Sequence, residues 1–301
     1  MLLTNNKSFF KDIIDEINIQ TDIDHAYIEK DFYAISILKE LAAKDEKFVF
    51  KGGTSLSVCQ KIINRFSEDI DISYLDEHIT VGNRKRIKRA FFESIESVSL
   101  SVSNAENIRS RRIFNKYICP YESQWNKSGD KVIVEWATQT PAFPVEEKTA
   151  QTIIGKYLES INRHDLVEQY GLEEFVVKTI TKERTLVDKI FAICDYHISK
   201  KLDRQSRHIY DISCLLKTVK LDDKLIELFN KVKAYRVNQE TCYSAKEGII
   251  VSSVLYELIK GNTYLSDYNL KTLPLVYDHV KYEEAILSVK QIADFLKSNK
   301  L

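Results

Sequence analysis

The stretch FKGGTSLSVCQKIINRFSEDIDIS, Phe50 to Ser73, joins an apolar run to a Gly-Gly pair, two hydroxyls, a helical segment and two aspartates one residue apart. Only 8 of the 301 residues are glycine, so an adjacent pair asks for a reason. Phe48-Val49-Phe50 predicts a short buried strand ending at Gly52-Gly53, and Ser55–Arg65 carries helical spacing through Leu56, Cys59 and Ile62-Ile63. Ile70, Ile72 and Tyr74 alternate with Asp69, Asp71 and Ser73, which is the period of a strand.

Backbone N–H groups at a helix start, with the Thr54 and Ser55 hydroxyls beside them, suit a phosphate, and glycine lets the backbone approach it closely. On these residues alone the same pattern also describes a plain turn with Thr54 or Ser55 as N-cap. The aspartates weigh against the plain turn. At i and i+2 of a strand, Asp69 and Asp71 point to one face, where like charges repel unless a cation such as Mg²⁺ or Mn²⁺ lies between them. The two elements together favour a metal–triphosphate site over a solvated acidic strand.

Outward from this unit, residues 7–18, 27–43 and 84–98 have helical periodicity, while Ile108–Ile118, Lys131–Thr138 and Phe175–Ile180 read as strands. From Thr181 the strand signal fades into helices at about 182–199, 206–217, 222–236, 244–260 and 282–298. The expectation is an α+β protein: a mixed sheet with flanking helices over 1–180, then a mostly helical lobe over 181–301. With 4 prolines and few glycines, long loops are not expected. Five cysteines without a CxxC pair argue against a disulfide framework or a thiolate zinc site. The N-terminus lacks signal-peptide character and no stretch is apolar enough to span a bilayer, so a cytoplasmic protein with no membrane partner is expected.

GGTSL followed by SEDIDIS resembles the signature of the DNA polymerase β nucleotidyltransferase superfamily. TKERTLVDKIFAI and SRHIYDISCLL resemble the lysine-bearing and arginine–aspartate helices of its AbiEii/AbiGii-type toxin branch, found in bacterial toxin–antitoxin and phage-defence systems. The likeness runs over roughly residues 30–217. It implies a nucleotidyltransferase-type sheet and transfer of NMP from an NTP to RNA, with the tRNA 3′ acceptor end as target and an antitoxin encoded nearby. It also implies that Gly52, Gly53, Thr54 and Ser55 hold the triphosphate and that Asp69 and Asp71 bind metal. Lys189 would neutralise phosphate charge and Asp211 complete the pocket. The later-strand carboxylate usual in the superfamily falls best on Glu135, within VIVEWA.

From the residues themselves, Lys189 is equally a lysine snorkelling from a core-facing helix, and Arg207 with Asp211 equally a surface ion pair. Net charge is zero, so RNA must be held by local patches. Three are candidates: Arg84, Lys85 and Arg86 on a predicted helix; Arg109, Arg111 and Arg112 on a predicted strand; and Lys200, Lys201, Arg204 and Arg207. An antibiotic-type transferase acting on a small molecule would want an acidic pocket for a cationic substrate. A silent nucleotide-binding module would not need the paired aspartates.

Overall fold

A computed structural model of the chain describes residues 2–67 and 69–301. The chain forms two compact units. The first comprises Met1–Cys59, Ser67–Thr138 and Val145–Thr179; the second comprises Gln60–Phe66, Gln139–Pro144 and Ile180–Leu301.

In the first unit, helices α1 (Lys7–Thr21) and α2 (His25–Lys44) precede β1 (Phe48–Lys51), α3 (Gly52–Val58), β2 (Asp69–Tyr74) and α4 (Val81–Ser97). Then come β3 (Phe114–Tyr121), β4 (Asp130–Ala137), β5 (Val145–Ala150), α5 (Ile153–Ser160), α6 (His164–Tyr170) and β6 (Phe175–Ile180), whose last residue falls in the second unit. The six strands form one mixed sheet in the order β3-β4-β2-β1-β6-β5. β1 runs antiparallel to β2 and parallel to β6, β2 parallel to β4, and β3 antiparallel to β4.

Alternation along the strands decides which face is covered. Phe48, Phe50, Ile70, Ile72, Tyr74, Val134, Trp136 and Tyr117 fall on one face by register, and all are buried. Helix α4 lays Ile87, Phe91 and Ile95 against them, with Phe91 stacked on Tyr117 at 4.8 Å and edge-on to Phe48 and Trp136 at 5.5 and 5.6 Å. Each such side chain contributes about 1.5–3 kcal/mol by leaving water. Its basic residues follow as the face left over. The Thr80 hydroxyl caps the helix by accepting from Asn83 N–H.

The second unit is helical: α7 (Lys182–Ser199), α8 (Arg207–Leu216), α9 (Asp223–Arg236), α10 (Val251–Lys260), a single turn α11 (Leu265–Asp267) and α12 (Tyr282–Ser298). Its core includes Phe191 stacked on Phe229 at 4.6 Å, with Leu186, Ile190, Ile209, Leu215 and Leu255 fully buried.

Three expectations are corrected. The helix predicted to run to Arg65 stops at Val58, because residues 64–66 take up extended pairing instead. Phe66 N–H donates to Leu275 O, Tyr277 N–H to Asn64 O, and Asn64 N–H to the Tyr210 hydroxyl. These bonds satisfy backbone groups that a longer helix would have used. The strand predicted from Ile108 begins at Phe114, since the Asn115 side chain bonds both the N–H and the carbonyl of Arg109 and closes a turn. The helix predicted from residue 244 begins at Val251, after a 3₁₀ turn. Strand β5 and helices α5 and α6 were not expected; β5 is an edge strand reading VEEKTA, too charged to signal burial. All five cysteines are buried free thiols.

Candidate active site

The first unit brings the Gly-Gly turn and both aspartates together. Gly52 has φ +77°, and a Cβ there would sit 1.9 Å from Asp71 Oδ2. The turn therefore has a glycine for two reasons: a left-handed backbone and a carboxylate packed against it. Thr54 Oγ1 donates to the Asp69 carbonyl at 2.5 Å, tying the start of α3 to the acid-bearing strand. Thr54 and Ser55 are buried, at 5% and 2% exposure. Gly52→Ala should lower the melting temperature by the equivalent of about 1–2 kcal/mol for the backbone alone and displace Asp71, with activity lost too. The contrasting variant is Gly82→Ala, where a Cβ meets nothing within 4 Å; it should be neutral or stabilising. Equal melting temperatures and activities for the two variants would refute this account of the turn.

Parallel pairing of β2 and β4 sets Asp71 opposite Glu135 and Asp69 opposite Ile133. Side chains of paired residues share a face, so Asp69, Asp71 and Glu135 all belong to the face away from α4. Glu135 Oε1 is also 3.2 Å from Lys116 Nζ on β3. Among the described residues, no three carboxylate, imidazole or thiolate side chains are gathered into a metal cage.

The second unit holds Lys189 and Asp211 as a buried pair 2.5 Å apart. Sequence reasoning missed their third partner. Arg65 donates Nε to Asp211 Oδ1 at 2.7 Å and Nη2 to Oδ2 at 2.8 Å. Asp211 is fully buried, and the Arg65 and Lys189 side chains are 3% and 8% exposed. Desolvation alone would raise the Asp211 carboxyl; the two cations outweigh it and hold it well below the usual carboxylate range. Burial pushes the Lys189 ammonium down, with Arg65 adding to the shift and Asp211 opposing it. His208 is likewise held well below its ordinary value by burial and by Lys189 and Arg207, so it is neutral at pH 7. Asp211 is therefore no surface ion pair, and Lys189 does not snorkel. Arg65 lies inside the opening stretch, but nothing local marks it, because its partner is 146 residues away.

The basic candidates are partly occupied at home. Arg84 Nε donates to Ile79 O, Arg86 pairs with Asp45 at 3.0 Å, and Lys85 is exposed. Arg109 and Arg112 bond carbonyls of their own turn, while Arg111 is exposed. Lys88 Nζ, further along α4, reaches Ile108 O at 3.0 Å, beside Arg109. In the second unit, Lys200, Lys201 and Arg204 are exposed and Arg207 is half-buried.

This sheet recurs in solved nucleotidyltransferases. The nucleotidyltransferase toxin MenT4 of Mycobacterium tuberculosis is 16% identical over 94% of this chain and 88% of that one, with a TM-score of 0.55. A putative nucleotidyltransferase of Helicobacter pylori, also 16% identical, covers 92% and 97% with a TM-score of 0.51. The fold is that of a nucleotidyltransferase. Residues 36–274 match the family described as nucleotidyl transferase AbiEii toxin, type IV toxin–antitoxin system, and the chain belongs to that family. The family implies an antitoxin as counterpart. No curated protein sequence matches significantly. No helix among the described residues is long and apolar enough to cross a membrane.

Proposed function

We propose that the chain transfers NMP from an NTP to RNA, the tRNA 3′ acceptor end being the preferred target. The observation that carries this reading is the register placing Glu135 opposite Asp71, beside the Gly52 turn and two residues from Asp69. Asp69, Asp71 and Glu135 share a sheet face without closing into a three-residue cage, and carboxylate oxygens are the donor type Mg²⁺ or Mn²⁺ takes, one or two at a time, together with phosphate oxygens. Such an ion, when bound, supplies activation of the attacking hydroxyl and charge compensation for the departing pyrophosphate. Asp69, Asp71 and Glu135 would hold it, and the turn at Gly52, Gly53, Thr54 and Ser55 would receive the triphosphate. Phosphoryl-type transfer asks little more of the protein than in-line positioning and neutralised charge.

Lys189 and Asp211 take a different part in this proposal from the one the resemblance implies. With both carboxylate oxygens on Arg65 and one of them also on Lys189, Asp211 is a positioning residue that orders α7, α8 and the 60–66 segment. For RNA, the clusters at Arg84–Arg86 and Arg109–Arg112 are the proposed grip, with Lys200, Lys201, Arg204 and Arg207 a separate contribution from the second unit.

The test is incubation with labelled NTPs, Mg²⁺ and purified tRNA across a salt series. Labelling of tRNA is expected to fall steeply with salt, with a slope of about −0.7 per phosphate contact on a single strand. A variant with Arg84, Lys85 and Arg86 changed to glutamate should label weakly throughout. Unlabelled tRNA, or labelling indifferent to both salt and charge reversal, would reject RNA and favour a small-molecule acceptor.

A further inference from the structure

Four charged residues occupy one register row on the carboxylate face. Lys116 of β3 stands opposite Glu135 of β4, Glu135 opposite Asp71 of β2, and Asp71 opposite Lys51 of β1. Strands lie about 4.8 Å apart, so the row spans about 15 Å and reads plus, minus, minus, plus. Adjacent carboxylates repel and the flanking lysines offset that repulsion. The two ends of the row differ. Lys51 adjoins the Gly52 turn, the side assigned to the triphosphate. Lys116 lies at the sheet's open edge, on the strand that the Arg109–Arg112 turn leads into. Its side chain is 42% exposed and its ammonium lies 3.2 Å from Glu135.

We infer that Lys116 is an acceptor-binding residue, gripping a backbone phosphate of the RNA beside its reacting end, and that Glu135 holds it in place until a divalent cation is bound. A carboxylate that gives its charge to a divalent ion holds an ammonium less well, so filling the metal site frees Lys116 for the acceptor. Metal loading and acceptor binding are thereby coupled through a single side chain, Glu135. This rests on the carboxylates being the metal site.

The test has two readouts on the full-length protein. The first is Mn²⁺ titration of the free protein by calorimetry, for the wild type, Asp71→Asn, Lys116→Met, Lys116→Arg and, as a charge control, Lys39→Met, whose partner Glu173 lies elsewhere. Lys116→Met is expected to bind Mn²⁺ about two- to fivefold more tightly, the scale of a partly exposed ion pair. Lys116→Arg and Lys39→Met should match the wild type. The second readout is steady-state transfer. Lys116→Met should raise KM for tRNA about tenfold, as loss of a charge-assisted contact does, with KM for NTP unchanged and Lys116→Arg restoring most of it. If the wild type binds no Mn²⁺, or Asp71→Asn binds it equally well, the metal reading falls and this inference with it. If Mn²⁺ is bound through Asp71 but Lys116→Met matches the wild type in both readouts, the Lys116–Glu135 contact is an ordinary cross-strand pair and only this inference is overturned. A parallel rise in both KM values, with a lower melting temperature, likewise assigns Lys116 a structural role.

Discussion

Asp71→Asn should leave the protein folded and reduce NMP transfer by at least about 10²–10³-fold, the scale of losing one preorganised charge-stabilising group. The substitution keeps the size and shape of a side chain that packs against Gly52 and stands opposite both Glu135 and Lys51. What it removes is the negative charge that, in the proposed reading, would help hold a divalent ion. Stability should change little, since the variant loses both a like-charged neighbour of Glu135 and a counter-charge opposite Lys51. Measuring initial rates with labelled NTP alongside a thermal melt separates the two effects. Wild-type turnover in Asp71→Asn would remove the aspartate pair from the chemistry.

The second large effect concerns folding. Asp211→Ala should cost about 3–5 kcal/mol, because it leaves the Arg65 and Lys189 cations buried without their shared counter-charge. Against a typical total of about 5–15 kcal/mol, that is enough to leave part of the chain unfolded at 37 °C. Lys189→Met should be far milder, since the bidentate Arg65–Asp211 pair that remains is neutral. The ordering is the test: chemical denaturation in which Lys189→Met loses as much as Asp211→Ala would contradict the geometry. Acid provides an independent check. The folded carboxyl titrates below its unfolded value, so its contribution is complete above roughly pH 4 and is lost as the pH falls through the lowered folded value. Asp211→Asn should abolish that part of the acid sensitivity.

Local pattern by itself determined the strand–turn–helix unit, the aspartate strand and most helices, because apolar spacing and glycine act over a few residues. Alternation within each strand separated Ile70 and Ile72 from Asp69 and Asp71, and Val134 and Trp136 from Glu135, before any partner was known. The family resemblance, carried by the same motifs, holds across residues 36–274. Only the tertiary structure decided the rest. Strand register sets Glu135 opposite Asp71 and Lys116 opposite Glu135, and register depends on pairing between segments about 20 to 65 residues apart. Helix periodicity through Arg65 was overruled because the backbones of Phe66 and Asn64 found Leu275 and Tyr277 and the Arg65 side chain found Asp211. A charge excluded from water without its counter-charge is costly, so Arg65 and Asp211 have to meet once both are buried, and no window of local sequence contains both partners.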